Sequence, residues 1–185
     1  MSMSTDRSYN QHIVCTPDEA RAIVDGHKKF WIANCRCREN RGNCKRSGIE
    51  VCLQFASRTA VGSVGSNFRA ITKDDALALI EEAQGDHLVP RPFRNDNNKN
   101  KLDGICFCCD DCCTYFLGED VACDKGKLIE STDMSVCIDC GVCTGVCYFG
   151  ARNAEEGLKV DREKCYGCGL CVDVCAMKAI SMVSR

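Results

Sequence analysis

Proline is scarce, at 3 of 185 residues, and aromatic side chains make up only 6%, with a single tryptophan. Together with 45% hydrophobic and 27% charged residues, this excludes a collagen-like or proline-rich disordered chain. Long apolar runs are missing as well. The best local run, Ala76-Leu77-Ala78-Leu79-Ile80, falls far short of the roughly 18 residues that span a bilayer. Residues Met1 to Gln11 are polar, with no apolar signal-peptide core and no twin arginine, so the expectation is a cytoplasmic protein without direct membrane insertion. A formal net charge of -2 and the lack of a helix-turn-helix or finger pattern argue against nucleic acid. The tract Gly62-Ser63-Val64-Gly65-Ser66 lacks the third glycine and the lysine of a nucleotide signature.

Cysteine is what the chain has in excess, with 19 residues. A chain of this length buries roughly 70% of its unfolded surface and forms a core without disulfide staples. The odd count argues against a pure disulfide framework, and in a reducing compartment clustered thiols serve as thiolate ligands.

An internal repeat occupies the last third. Cys137, Cys140, Cys143 and Cys147 recur 28 positions later as Cys165, Cys168, Cys171 and Cys175, and Gly141, Val146 and Ala151 recur as Gly169, Val174 and Ala179. This is a duplicated structural unit. Cysteines three apart can wrap three corners of a metal–sulfur cube, with the fourth ligand coming from elsewhere. Four-thiolate zinc knots, the alternative, separate their C-x2-C pairs by a longer stretch.

Residues 131–185 therefore resemble a bacterial-type ferredoxin domain carrying two 4Fe-4S clusters. The resemblance implies crossed ligation, with one cluster on Cys137, Cys140, Cys143 and Cys175 and the other on Cys165, Cys168, Cys171 and Cys147. The family's proline after the fourth cysteine is replaced here by Tyr148 and Ala176, which restores a backbone N–H at both places.

Nine further cysteines form two groups, Cys35, Cys37, Cys44 and Cys52, then Cys106, Cys108, Cys109, Cys112 and Cys113. They suffice for one or two additional 4Fe-4S clusters, or for a structural zinc with bystanders. Cys15 and Cys123 stand apart and read as packing residues. The pattern over residues 15–116 resembles the N-terminal half of iron–sulfur proteins of anaerobes that end in a two-cluster ferredoxin. From Lys28 to Arg46 seven basic residues face one acid, Glu39, which either stabilises a reduced, negative cluster or forms a solvated face. His27 reads as a packed helix residue, and His12 and His87 lack ligand partners at useful spacing.

The expected fold class is α+β: a helical, loop-rich, cysteine-rich N-terminal domain over residues 1–130, then a small ferredoxin-like domain over 131–185. Thr16-Pro17-Asp18-Glu19 opens a helix reaching about Phe30, with Ala22, Ile23, Gly26, His27 and Phe30 on one stripe. A second helix runs from Thr72 to Gly85. Pro90-Arg91-Pro92 and Asn95 to Lys101 read as an exposed loop, and Leu158-Lys159-Val160 as a short strand. With no flavin, nicotinamide or nucleophile motif, the function expected is electron transfer, as relay subunit between a larger catalytic redox subunit and an electron donor or acceptor. The rival readings are an enzyme whose N-terminal cluster binds substrate, and a redox sensor.

Overall fold

The computed structural model describes residues 10–56, 65–118 and 122–185. Most of the polar N-terminal stretch and Gly62 to Val64 of the glycine tract lie outside the described residues.

The chain enters through β1 (His12–Ile13) and α1 (Pro17–Asp25). The Thr16 hydroxyl accepts the Glu19 N–H, and the Glu19 carboxylate accepts the Thr16 N–H, so a reciprocal capping box starts the helix where the sequence says it should. It stops at Gly26 rather than near Phe30. Phe30 instead opens β2 (Phe30–Ala33), which is paired on both sides; aromatic and β-branched residues favour such a half-buried sheet position. The helix buries Ala20 and Val24, while Ala22 and Gly26 face solvent, a rotation from the expected stripe. His27 stacks on Phe55 with its ring centroid at 3.9 Å, a packing role.

Next come α2 (Arg36–Arg41), β3 (Cys52–Gln54), β4 (Arg69–Ile71) and α3 (Lys73–Gly85). Thr72 and Asp75 form a second capping box, and α3 packs Ala76, Leu79, Ile80 and Ala83 inward beside α1. The remaining strands are β5 (Val89–Arg94), β6 (Leu102–Cys108) and β7 (Cys123–Asp124). Together they make a seven-stranded sheet in the order β4-β2-β3-β6-β5-β1-β7, antiparallel except between β1 and β7. The N-terminal part is thus built on a sheet and is not the helical, loop-rich unit expected.

The largest departure from the sequence expectation is β5, because Pro90-Arg91-Pro92 carries the signal of a loop. The two prolines are two residues apart, so their missing donors fall on one edge of the strand, while Phe107 and Ile105 of β6 lie opposite them in the sheet. On that edge the Pro90 carbonyl accepts from the Cys15 N–H, and only the two-residue β1 pairs there. Arg91 is consequently carried inside, at 2% exposure.

After β7 the chain forms a smaller layer. β8 (Leu128–Thr132) pairs antiparallel with β11 (Ile180–Ser184), and β9 (Arg152–Asn153) with β10 (Lys159–Val160). Between them lie two 3-10 turns (Val142–Thr144 and Arg162–Lys164) and the single turn α4 (Leu170–Asp173). The repeat is written into the backbone. Gly141 and Gly169 both have positive φ, as do the pairs Asp139 and Gly167, and Gly150 and Lys178, each offset by 28 residues. Hydrogen bonds repeat likewise: Asp133 N–H to the Ala179 carbonyl answers Asp161 N–H to the Ala151 carbonyl, both at 2.8 Å. An aromatic group of Tyr115, Phe116, Phe149 and Tyr166 joins the two layers, and Gln84 of α3 donates to Asp173 of α4 at 2.9 Å. No helix among the described residues is long and apolar enough to cross a membrane.

Candidate metal centres

The C-terminal cysteines are distributed around two cavities. One is lined by Cys137, Cys140, Cys143 and Cys175. The other is lined by Cys147, Cys165, Cys168 and Cys171. In each set three cysteines come from one loop and the fourth from the other copy of the repeat. The loops turn tightly because Gly141 and Gly169 hold the left-handed conformation that glycine adopts without strain. Three residues after each of them the chain has turned back, through Thr144 N–H to the Gly141 carbonyl and Val172 N–H to the Gly169 carbonyl.

Backbone donors serve the fourth cysteines symmetrically. The Ala179 N–H reaches the Cys175 sulfur at 3.3 Å, and the Ala151 and Arg152 N–H groups reach the Cys147 sulfur. The donors found on these sulfurs thus come four and five residues along, and Tyr148 spends its side chain on packing between the layers. Burial pushes the Cys168 thiol up to about 12 and the Cys171 thiol up to about 11, so each becomes a thiolate only against positive charge such as a metal.

Arg152 supplies fixed positive charge between the cavities. It is 6% exposed, lines the Cys147 cavity, and donates to the Cys143 sulfur of the other at 3.5 Å. Buried Glu130 holds it at 2.7 Å, and the Thr132 hydroxyl accepts from it at 2.9 Å. Paired with Glu130, this guanidinium still presents an N–H to a cysteine sulfur, a donor that a thiolate ligand accepts more strongly than a neutral thiol. Donor type, cavity placement and charge all fit 4Fe-4S clusters.

The N-terminal cysteines are arranged differently, in thiol-to-thiol contact. Cys35, Cys37, Cys113, Cys108, Cys106 and Cys52 form a continuous chain of side-chain contacts. Donation from Cys113, then Cys35, holds the Cys37 thiol far below its ordinary range. Arg91 lies against this chain and donates to Cys108 at 3.5 Å and Cys113 at 3.4 Å. Burial opposes the Arg91 charge, but the thiols of Cys108, Cys123, Cys113 and Cys106 outweigh it and hold the guanidinium protonated. No carboxylate pairs with Arg91 among the described residues, and its Nε and Nη2 have no partner there. The guanidinium also lies over the Tyr115 ring at 4.2 Å from its centroid, and thiolates at the neighbouring cysteines would give it a counter-charge.

A second N-terminal group comprises Cys44, Cys109 and Cys112. Their sulfurs lie 3.6, 3.2 and 3.5 Å apart, each touching the other two. Donation by Cys112, together with the Asp111 and Cys112 N–H groups, pulls the Cys109 thiol down to about 5 despite its burial. Buried Arg38 stands in the field of these thiols and of Cys35.

Residues 158–181 match the family model of the 4Fe-4S binding domain, a stretch that contains Cys165, Cys168, Cys171 and Cys175. The chain is an iron–sulfur electron-transfer protein with at least one 4Fe-4S cluster. No curated protein and no solved structure matches it.

The fold brings to these sites several residues that their spacing in the sequence does not mark. His12, thought to lack partners, places Nε2 at 3.8 Å from Cys106, and burial lowers its imidazole to about 4. Cys123, read as packing, is buried within reach of Arg91; Cys15 is buried in the core as expected. Of the seven basic residues between Lys28 and Arg46, Arg38 alone turns fully inward, and the others are exposed.

Proposed function

We propose that this protein carries two 4Fe-4S clusters with crossed ligation in residues 131–185 and a further one in the N-terminal layer, and relays electrons to a larger catalytic redox subunit. The observation that carries the reading is the pair of cavities, each lined by three cysteines of one repeat and one of the other. Cys137, Cys140, Cys143 and Cys175 would hold one cluster, and Cys147, Cys165, Cys168 and Cys171 the second. The third would draw its ligands from the chain of Cys35, Cys37, Cys106, Cys108 and Cys113 beside Arg91, with Cys52 at its end. A bound 4Fe-4S cluster supplies one-electron chemistry with little geometric change.

The chain's own residues contribute fixed charge, burial and a docking rim. Arg152 and Arg91 favour the more negative, reduced form of whatever the adjacent thiolates bind. Ile138, Val142 and Met177 line the first cavity and are 63%, 56% and 44% exposed. An apolar rim of this kind at the mouth of a redox site supports the reading that a protein partner covers it. A cytoplasmic location remains part of this proposal.

The test is reduction of the anaerobically purified chain with dithionite. A reversible loss of visible absorbance with about 12 irons and matching sulfide is expected, and steady turnover of an organic substrate by the chain alone would refute the relay role in favour of an enzyme.

A further inference from the structure

The contact between the sulfurs of Cys44, Cys109 and Cys112 is of a different kind from the arrangement around the two C-terminal cavities. In a cube each cysteine binds its own iron, so the ligating sulfurs stand apart, as alternate members of the chain from Cys35 to Cys52 do and the trio, in which every sulfur touches both others, does not. On one tetrahedral ion with metal–sulfur bonds of about 2.3 Å, neighbouring thiolates stand only about 3.8 Å apart. The trio's separations of 3.2 to 3.6 Å lie near that tetrahedral edge. Among the described residues no other set of three cysteine, histidine or carboxylate donors comes within 4.8 Å of one another. The eight C-terminal cysteines, which are all described, form no such set.

The surroundings also suit an ion that pins two loops together. Cys44 belongs to the segment between α2 and β3, whereas Cys109 and Cys112 belong to the turn that follows β6. The same two segments are fastened by the Lys45 N–H to Asp111 at 3.0 Å and by the Arg46 guanidinium, which grips both Asp110 oxygens at 2.9 Å. Arg38 is 1% exposed and donates to the Gly48 and Phe107 carbonyls, so its charge is fixed beside the trio. Three thiolates on one divalent ion leave a net negative charge, which this guanidinium offsets. Tyr148 packs against the same core, and its buried hydroxyl has no partner among the described residues.

We infer that Cys44, Cys109 and Cys112 bind a single thiophilic divalent ion of the zinc class, separate from every iron–sulfur cluster, with water on the fourth corner. Binding releases the remaining thiol protons to solvent, with no change in oxidation state. The inference does not depend on how many clusters the other cysteines hold.

Metal analysis and zinc K-edge absorption spectroscopy on the full chain, purified without air from zinc-supplemented medium, test this. One zinc per chain is expected beyond the iron, with three sulfurs at about 2.3 Å and one lighter atom. Cys109→Ser should abolish the zinc and leave iron and sulfide unchanged. A fall in iron and sulfide in that variant, with no zinc in the parent chain, would overturn the inference by showing that the trio ligates a cluster. Should the variant not fold, the parent spectrum decides by itself, since no zinc, or zinc bound by four sulfurs, is equally fatal.

Discussion

The two layers treat buried thiols in opposite ways. In the C-terminal repeat eight cysteines stand around two cavities, with backbone N–H groups and Arg152 serving them from outside. In the N-terminal layer nine cysteines gather from α2 and its two flanks, β3, β6 and the following turn into side-chain contact, with Arg91 and Arg38 buried among them. The first arrangement is set by local spacing, since a tight loop presents three sulfurs regardless of what surrounds it. The second depends on the sheet, because strands far apart in sequence must pair before the thiols meet. Cys52 lies opposite Cys106 in the β3–β6 pair, more than fifty residues away.

The largest effect that separates the two layers should come from Arg91→Met. It removes the buried cation from the N-terminal thiols, and loss of one partner of a buried charge set costs about 3–5 kcal/mol. Metal analysis should show about four irons fewer, while the electron paramagnetic signals of the C-terminal clusters persist. Loss of every signal would mean that the layers fold and load as one unit.

Arg152→Met is the corresponding change in the C-terminal layer. It strands Glu130, which is 3% exposed, so a stability loss of about 3 kcal/mol is expected in denaturant melts. Removing a positive charge that faces both cavities should also lower two reduction potentials in film voltammetry, not one. A shift in a single potential would place the guanidinium's influence on one site only.

The smallest predicted effect concerns the fidelity of the repeat. Gly150 and Lys178 occupy equivalent positions at φ of 65° and 52°. A lysine there bears the left-handed strain of about 1–2 kcal/mol, from which the extra chain entropy of glycine takes back about 0.5–1 kcal/mol. Lys178→Gly should therefore raise the melting temperature slightly, and the converse Gly150→Lys should lower it.

How much of this was legible in the sequence follows from the same contrast. The repeat of 28 residues, the helix start at Thr16 to Glu19 and the second helix from Thr72 to Gly85 are local signals, and each reappears in the structure. The sheet was hidden because its strands are short and few alternate cleanly. β5 carries two prolines, the usual mark of a loop, and is a strand because both missing donors fall on its sparsely paired edge. That misreading also concealed Arg91, which looked like a loop arginine. Likewise the partition of nine cysteines into a chain of six and a trio is a consequence of strand register and of the turn at Cys109 to Cys112, and spacing alone contains neither.

Crossed ligation is the central claim, and comparing electron paramagnetic spectra of three reduced variants tests it most directly. Cys147→Ala should lose the same signal as Cys165→Ala and keep the signal that Cys143→Ala loses, because Cys147 lines the cavity of the second repeat. If Cys147→Ala instead reproduces the spectrum of Cys143→Ala, each repeat ligates its own cluster and the account is contradicted.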